Sequence, residues 1–273
     1  MELVRISVKG VKPNVPEPRI DIIPKPIPRP YNNNAFRLLI LGSSGKGKSN
    51  IFVNLITRPE AYGMDPKLGG VFDRIYIFCP TYDYDTTVKV LTTPGPDGKS
   101  FLTEDAIFKN GDKESIEARI TEIEDEIAKE IDEHNDESTS PIKTLIVFDD
   151  LMRELRDSEK LMNLCTKGRK LQISLILTAQ AYKSFLPTMR TNMTHYCIFD
   201  SDTSKELNDI ITDLPSDKER TKELFKRVFK SKPDLNPFIT VVKHANPEDM
   251  FWYKLGGPKY VDGGNLYRYY NEW

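Results

Sequence analysis

The sequence predicts an α/β fold with a mostly parallel central sheet flanked by helices. Three observations lead there. Short aliphatic runs alternate with amphipathic segments of helix length along most of the chain. Two of those runs, Thr144–Phe148 and Ser174–Thr178, are almost continuously aliphatic, as strands covered on both faces are. A third run, Phe36–Leu41, feeds straight into Gly-Ser-Ser-Gly-Lys-Gly-Lys-Ser at residues 42–49, with a helix-forming stretch behind it.

Residues 1–35 carry seven prolines, with Pro24, Pro26, Pro28 and Pro30 at every second position. Proline removes an amide donor and restricts its predecessor, so this arm is expected to be extended. It could lie over the core or reach a neighbouring subunit. Residues 36–273 read as one nucleotide-binding domain. Phe36–Leu41 is its first strand, and a helix from about Gly47 to Thr57 stops before Pro59. Arg74–Cys79 is the second strand, closed by Pro80; Thr144–Phe148, Ser174–Thr178 and His195–Phe199 are the next three. Helices are expected at roughly 151–166, 181–192, 203–213 and 217–230. Phe238–Lys243 reads as a further strand, followed by glycine pairs at 256–257 and 263–264. Leu266–Trp273 could be an edge strand. Its aromatics could bind bases, although core or intersubunit packing is the commoner use.

The segment 81–141 interrupts the alternation and is expected to be an acidic helical insertion. Ile116, Ile120, Ile123, Ile127 and Ile131 fall at helical spacing, one apolar stripe on an otherwise mainly acidic helix. Packing on its own domain, a contact between subunits, and an acidic arm for another protein are the three readings.

A length of 273 residues accommodates one large domain with a sizeable core. The composition, 29% charged and 38% hydrophobic, is that of an ordinary water-soluble chain. No run is long and apolar enough to cross a bilayer, and Met1-Glu2-Leu3-Val4 does not begin a secretory segment. Cys79, Cys165 and Cys197 are scattered among apolar neighbours, as buried thiols in a reducing compartment would be. The net charge of −2 conceals an asymmetry: nine basic against three acidic residues in 1–48, four against fourteen in 104–137, sixteen against eleven in 153–232. A polyanion would have to meet a local basic face, with the acidic segment held elsewhere.

The eight-residue run matches the full phosphate-cradling loop, and it sits between a strand and a helix as that loop must. Gly42 and Gly47 permit backbone angles or close approaches that a side chain would obstruct. The amides across Ser43, Ser44, Gly45 and Lys46 can then turn inward, reinforced by the start of the following helix. Lys48 is positioned to reach the β- and γ-phosphates of a nucleoside triphosphate and Ser49 to place its hydroxyl on Mg²⁺. About 100 residues downstream, Thr144–Phe148 ends in Asp149-Asp150. Asp149 is expected to hold Mg²⁺ opposite Ser49, and Asp150 to polarise the attacking water. A strand followed by a helix cap is the alternative for such a pair. The next strand ends Leu-Thr-Ala-Gln, so Thr178 or Gln180 could bond the γ-phosphate or hold the lytic water.

The loop, the strand ending Phe-Asp-Asp, and Gly168-Arg-Lys-Leu-Gln-Ile-Ser174 before Leu-Ile-Leu-Thr-Ala-Gln180 together resemble the genome-packaging ATPases of large eukaryotic DNA viruses and virophages. Leu186-Pro-Thr-Met-Arg-Thr-Asn192 before His195–Phe199 resembles their continuation. These ATPases lie in the FtsK/HerA division of DNA-pumping motors. The resemblance covers about 36–80 and 142–215. It implies a P-loop NTPase of the additional-strand, catalytic-acid type, ATP with Mg²⁺, and a homo-oligomeric ring. It further implies sequence-independent double-stranded DNA and capsid or portal-vertex proteins as partners, with no membrane. The expected location is the host cytoplasm or nucleus at assembly sites, or the virion. Carried over, Lys48 and Ser49 bind phosphate and Mg²⁺, Asp149 binds metal, Asp150 takes the catalytic acid position and Gln180 senses phosphate. Many related motors have Glu at that second acid; Asp150 is one methylene shorter.

Ring ATPases use an arginine from a neighbour at the γ-phosphate, and Arg169 and Arg190 are the two candidates here. Lys170 and Lys183 could touch DNA phosphates. A DNA-packaging motor is the leading function. A nucleotide-gated assembly protein and a small-molecule kinase are the alternatives, the last lacking any marked acceptor pocket or arginine-bearing lid.

Overall fold

The computed structural model describes residues 35–58, 61–63, 70–133, 142–201, 203–231, 236–246, 250–254 and 267–268. The expected arm at 1–35, apart from its last residue, and the glycine pairs at 256–264 lie outside them.

The sheet is built around β1 (Arg37–Leu41), which is buried along its whole length. It pairs in parallel with β5 (Ile173–Ala179) on one side and β6 (His195–Phe199) on the other. Beyond β5 come β4 (Thr144–Phe148), β2 (Arg74–Phe78) and the two-residue β3 (Ile107–Phe108), all parallel. Beyond β6 the direction alternates: β7 (Phe238–Val242), β8 (Phe251–Lys254) and β9 (Tyr267–Arg268) are antiparallel to their neighbours. Among the described residues the order is β3-β2-β4-β5-β1-β6-β7-β8-β9. The sheet is thus mixed but largely parallel, and one strand, β5, separates the loop-bearing strand from the strand that ends in two acids.

Both faces are covered, which explains the uninterrupted aliphatic runs. Alternate side chains of β1 point opposite ways. Leu39 and Leu41 join the core beneath α3 (Lys113–Glu133), α4 (Glu159–Lys167), α6 (Ser204–Asp213) and α7 (Lys218–Ser231). Leu38 and Ile40 join the core beneath α1 (Lys48–Thr57) and α2 (Thr86–Lys89). In α3, Ile116, Ile120, Ile123 and Ile127 are fully buried in the first of these cores, while Ile131 is 37% exposed. The acidic helix therefore packs on its own sheet, tied further by ion pairing of Arg74 with Glu130. Among the described residues no helix is long and apolar enough to cross a membrane.

Two expected helices differ from those observed. The helix predicted over 151–166 begins only at Glu159, because Leu151, Met152 and Leu155 enter the core from turns and Ser158 caps the helix by accepting from the Leu161 amide. The one predicted over 181–192 is split into a 3₁₀ turn, Tyr182–Ser184, and α5 (Pro187–Asn192), which starts at its proline.

Candidate active site

The loop between β1 and α1 has two glycines with positive φ, Gly45 at 76° and Gly47 at 98°, the left-handed region in which a Cβ is costly. Gly42 is needed for another reason: a Cβ there would lie 2.9 Å from Cβ of the buried Phe199. Its amide also donates to Ala179 O at 3.2 Å, anchoring the loop to the end of β5. Gly47 leads directly into α1 with no side chain capping the helix, so the amides of the first turn face the loop. Lys48 is buried, and its ammonium donates to Gly42 O at 2.8 Å and Ser43 O at 3.2 Å, which fixes it inside the loop. Burial pulls its pKa down, opposed by the charges of Asp150 and Asp149.

Asp149 and Asp150 follow β4. Asp149 is buried, and its two oxygens face different partners. Oδ1 accepts from the Thr178 hydroxyl at 2.6 Å, and Oδ2 accepts from the Ser49 hydroxyl at 3.3 Å. Burial raises its pKa, with the hydrogen bond from Thr178 acting the other way. Asp150 is exposed and has a φ of 55°, unusual for a residue with a side chain. Its amide donates to Thr178 Oγ1 at 2.9 Å, and its carboxylate accepts from Gln180 Nε2 at 2.8 Å. Gln180, Gly42, Ser43, Ser201 and Glu206 line an adjoining crevice. Glu206 is itself held by the Tyr182 amide and the Ser201 hydroxyl.

The fold therefore brings together the loop, Ser49, Asp149, Asp150 and Gln180 at the carboxyl ends of β1, β4 and β5, where open α/β sheets bind ligands. Ser49 and Asp149 offer only oxygen donors, the kind Mg²⁺ takes alongside phosphate oxygens and water. Thr178 is not in the crevice. Its side chain is fully buried and its hydroxyl is spent on the two acids. Cys79, legible only as a buried thiol, lies one residue past β2 with its sulfur 3.7 Å from Asp149 Oδ2; burial raises its pKa to about 12, so it remains a thiol. Its place at the end of the strand beside β4 was the available signal.

The two arginines lie elsewhere. Arg169 is exposed on the 3₁₀ turn Gly168–Leu171, before β5 and near Arg37 at the start of β1. The four residue steps of β1 separate that end of the sheet from the loop by about 13 Å. Arg190, near the end of α5, pairs with Asp213 at 3.1 Å and covers the Tyr182 ring at 4.7 Å. Lys183 pairs with Asp209 at 2.9 Å, and Lys170 is exposed.

Similar chains share this architecture. The ATPase 2 and 3 region of EssC from Geobacillus thermodenitrificans superposes with a TM-score of 0.54 at 16% identity, covering 83% of this chain and 40% of that one. The genome packaging NTPase B204 of Sulfolobus turreted icosahedral virus 2, in complex with AMP, gives 0.51 at 11% identity, covering 82% and 98%. At such identities the likeness concerns the fold alone. By sequence, the DNA packaging protein OPG160 of variola virus is 26% identical over 173 residues, 63% of this chain and 56% of the relative. The chain spans about half the length of the curated relatives it matches. The family model described as Poxvirus A32 protein matches residues 29–242, a stretch that holds the loop, both acids, Gln180 and β1 through β7. The chain belongs to the Poxvirus A32 protein family.

Proposed function

We propose that this protein hydrolyses ATP and couples hydrolysis to the movement of double-stranded DNA into a capsid, as a homo-oligomeric ring. One observation carries the chemistry: Lys48 is held inside the glycine loop, Ser49 bonds Asp149 and Gln180 bonds Asp150, all at the carboxyl ends of β1, β4 and β5. Lys48 and the loop amides would hold the triphosphate. Ser49 and Asp149 would hold Mg²⁺, which when bound neutralises charge developing on the phosphoryl oxygens. Asp150 is exposed and carries the carboxylate that would orient water and accept its proton. Gln180, bonded to that carboxylate, would report on the phosphate beside it.

Family membership and the packaging proteins among the similar chains support DNA as the partner. So does the charge distribution. The last two turns of α7 present Lys226, Arg227 and Lys230 to solvent, while α3 keeps its acids on the far flank of the sheet. Duplex backbone would be met there without sequence preference. Arg169, at the opposite end of the sheet from its own loop, is suited only to a neighbour's site. Arg190 would first have to leave Asp213.

Turnover measured against duplex length, then translocation at the same salt concentration, tests the proposal. ATPase activity should rise with long duplex, and both binding and stimulation should weaken as salt rises. Brisk turnover with neither DNA binding nor movement, capsid portal proteins included, would instead favour a nucleotide-gated assembly switch.

A further inference from the structure

Thr178 contributes the only hydroxyl among the described residues that bonds to both acids of the site. It sits in the middle of β5's carboxyl end, with no exposed surface. A hydroxyl has one proton to give, and here that proton goes to Asp149 Oδ1 at 2.6 Å. A lone pair of the same oxygen takes the Asp150 amide proton at 2.9 Å. The first bond fixes the rotation of the Asp149 carboxylate, so that Oδ2 is the oxygen turned toward Ser49. The second satisfies an amide belonging to a residue in the left-handed region, where the chain turns sharply away from β4. Both bonds cross from one strand to its neighbour, so the register of β4 against β5 is converted into the separation and aim of two carboxylates.

We propose that Thr178 is a positioning residue that sets the metal-facing oxygen of Asp149 and the backbone turn of Asp150 through one hydroxyl. The inference rests on the ATPase reading of the site. Valine fills the same volume without the oxygen, leaving Asp149 free to rotate and the Asp150 amide unpaired. Serine keeps the oxygen and loses a methyl. Outer-sphere partners of metal ligands typically govern metal affinity or activity by about 10–100-fold.

The test compares wild type, Thr178→Val, Thr178→Ser and Lys48→Ala in full-length protein. It records binding of a fluorescent ATP analogue as Mg²⁺ is titrated, binding of the same analogue in EDTA, and turnover. For Thr178→Val the half-saturating Mg²⁺ concentration should rise at least ~10-fold and turnover should fall by a similar factor. Its metal-free nucleotide affinity should match wild type, which a general loss of structure would not leave intact. Thr178→Ser should follow wild type in all three. If valine prevents folding, Thr178→Ala replaces it: alanine and serine both lack the methyl, and equal behaviour of the two would overturn the inference. So would a Thr178→Val protein with wild-type Mg²⁺ dependence beside a Lys48→Ala protein that has lost nucleotide binding. Wild-type protein that neither binds nor hydrolyses ATP would overturn the ATPase reading and this inference with it.

Discussion

Gln180 Nε2 donates to Asp150 Oδ2 at 2.8 Å, joining the residues that terminate two neighbouring strands. The carboxylate is the only charged member of the pair, so the bond is charge-assisted and ties the two side chains together. Asp150→Asn preserves shape but removes the proton acceptor. Mg²⁺–ATP binding should persist while turnover falls by at least ~10²-fold, the lower scale for general acid–base assistance. Single-turnover hydrolysis with a parallel binding titration checks this, and unchanged turnover would reduce Asp150 to a turn residue.

The root of the loop is crowded. A Cβ at Gly42 would meet Phe199 Cβ at 2.9 Å, and Phe199 is locked against Phe238 in the core. Gly42→Ala should therefore cost about 1–3 kcal/mol, the usual scale for overpacking. Because the backbone must yield where Gly42 meets Ala179, nucleotide affinity should fall as well. Urea melts and a nucleotide titration measure the two effects, and a variant unaffected in both would show that the loop has slack at its base.

Position along α3 should decide the cost of losing an isoleucine. Ile120→Ala empties a fully buried site and should destabilise by about 2–5 kcal/mol. Ile131→Ala, on the same stripe but 37% exposed, should stay within about 0.5 kcal/mol of wild type. Equal urea midpoints for the two would contradict the packing of α3 on the sheet.

If Arg169 completes a neighbour's site, Arg169→Ala and Lys48→Ala proteins should each be nearly inactive alone. Mixed, they should regain part of the activity, since some sites would pair an intact loop with an intact arginine. Mass photometry or light scattering establishes co-assembly and a phosphate-release assay the recovery. Co-assembly without recovery would transfer the role to Arg190, freed from Asp213, or to an arrangement within one chain.

Much of this was legible because strands and loop are written in local chemistry. Thr144–Phe148 and His195–Phe199 begin and end where their apolar runs do. The place of the glycine loop between a strand and a helix followed from residue type and spacing. What depends on partners distant in sequence was not legible. Ile107-Phe108 is too short to signal a strand and becomes one only by lying against Ile77 and Phe78. Leu151, Met152 and Leu155 have helical spacing, yet it is Ser158, bonded to Glu117 as well as Leu161, that sets where α4 starts. Thr178 stood beside Gln180 as a candidate for the γ-phosphate or the lytic water because strand alternation gives only the face a side chain takes, whereas its partners follow from the register between β4 and β5. The partners of Arg190 were hidden for the same reason: Asp213 and Tyr182 are 23 and 8 residues away in the chain.

Among the described residues, the two-residue β3 stands at one border of the sheet. β3 itself offers few backbone donors and acceptors to a second copy, and strand addition to it would gain little. Copies meeting on that side would do so through side chains. Contacts of that kind can slide or re-pair during a catalytic cycle, whereas a sheet continued from one copy into the next would have to tear.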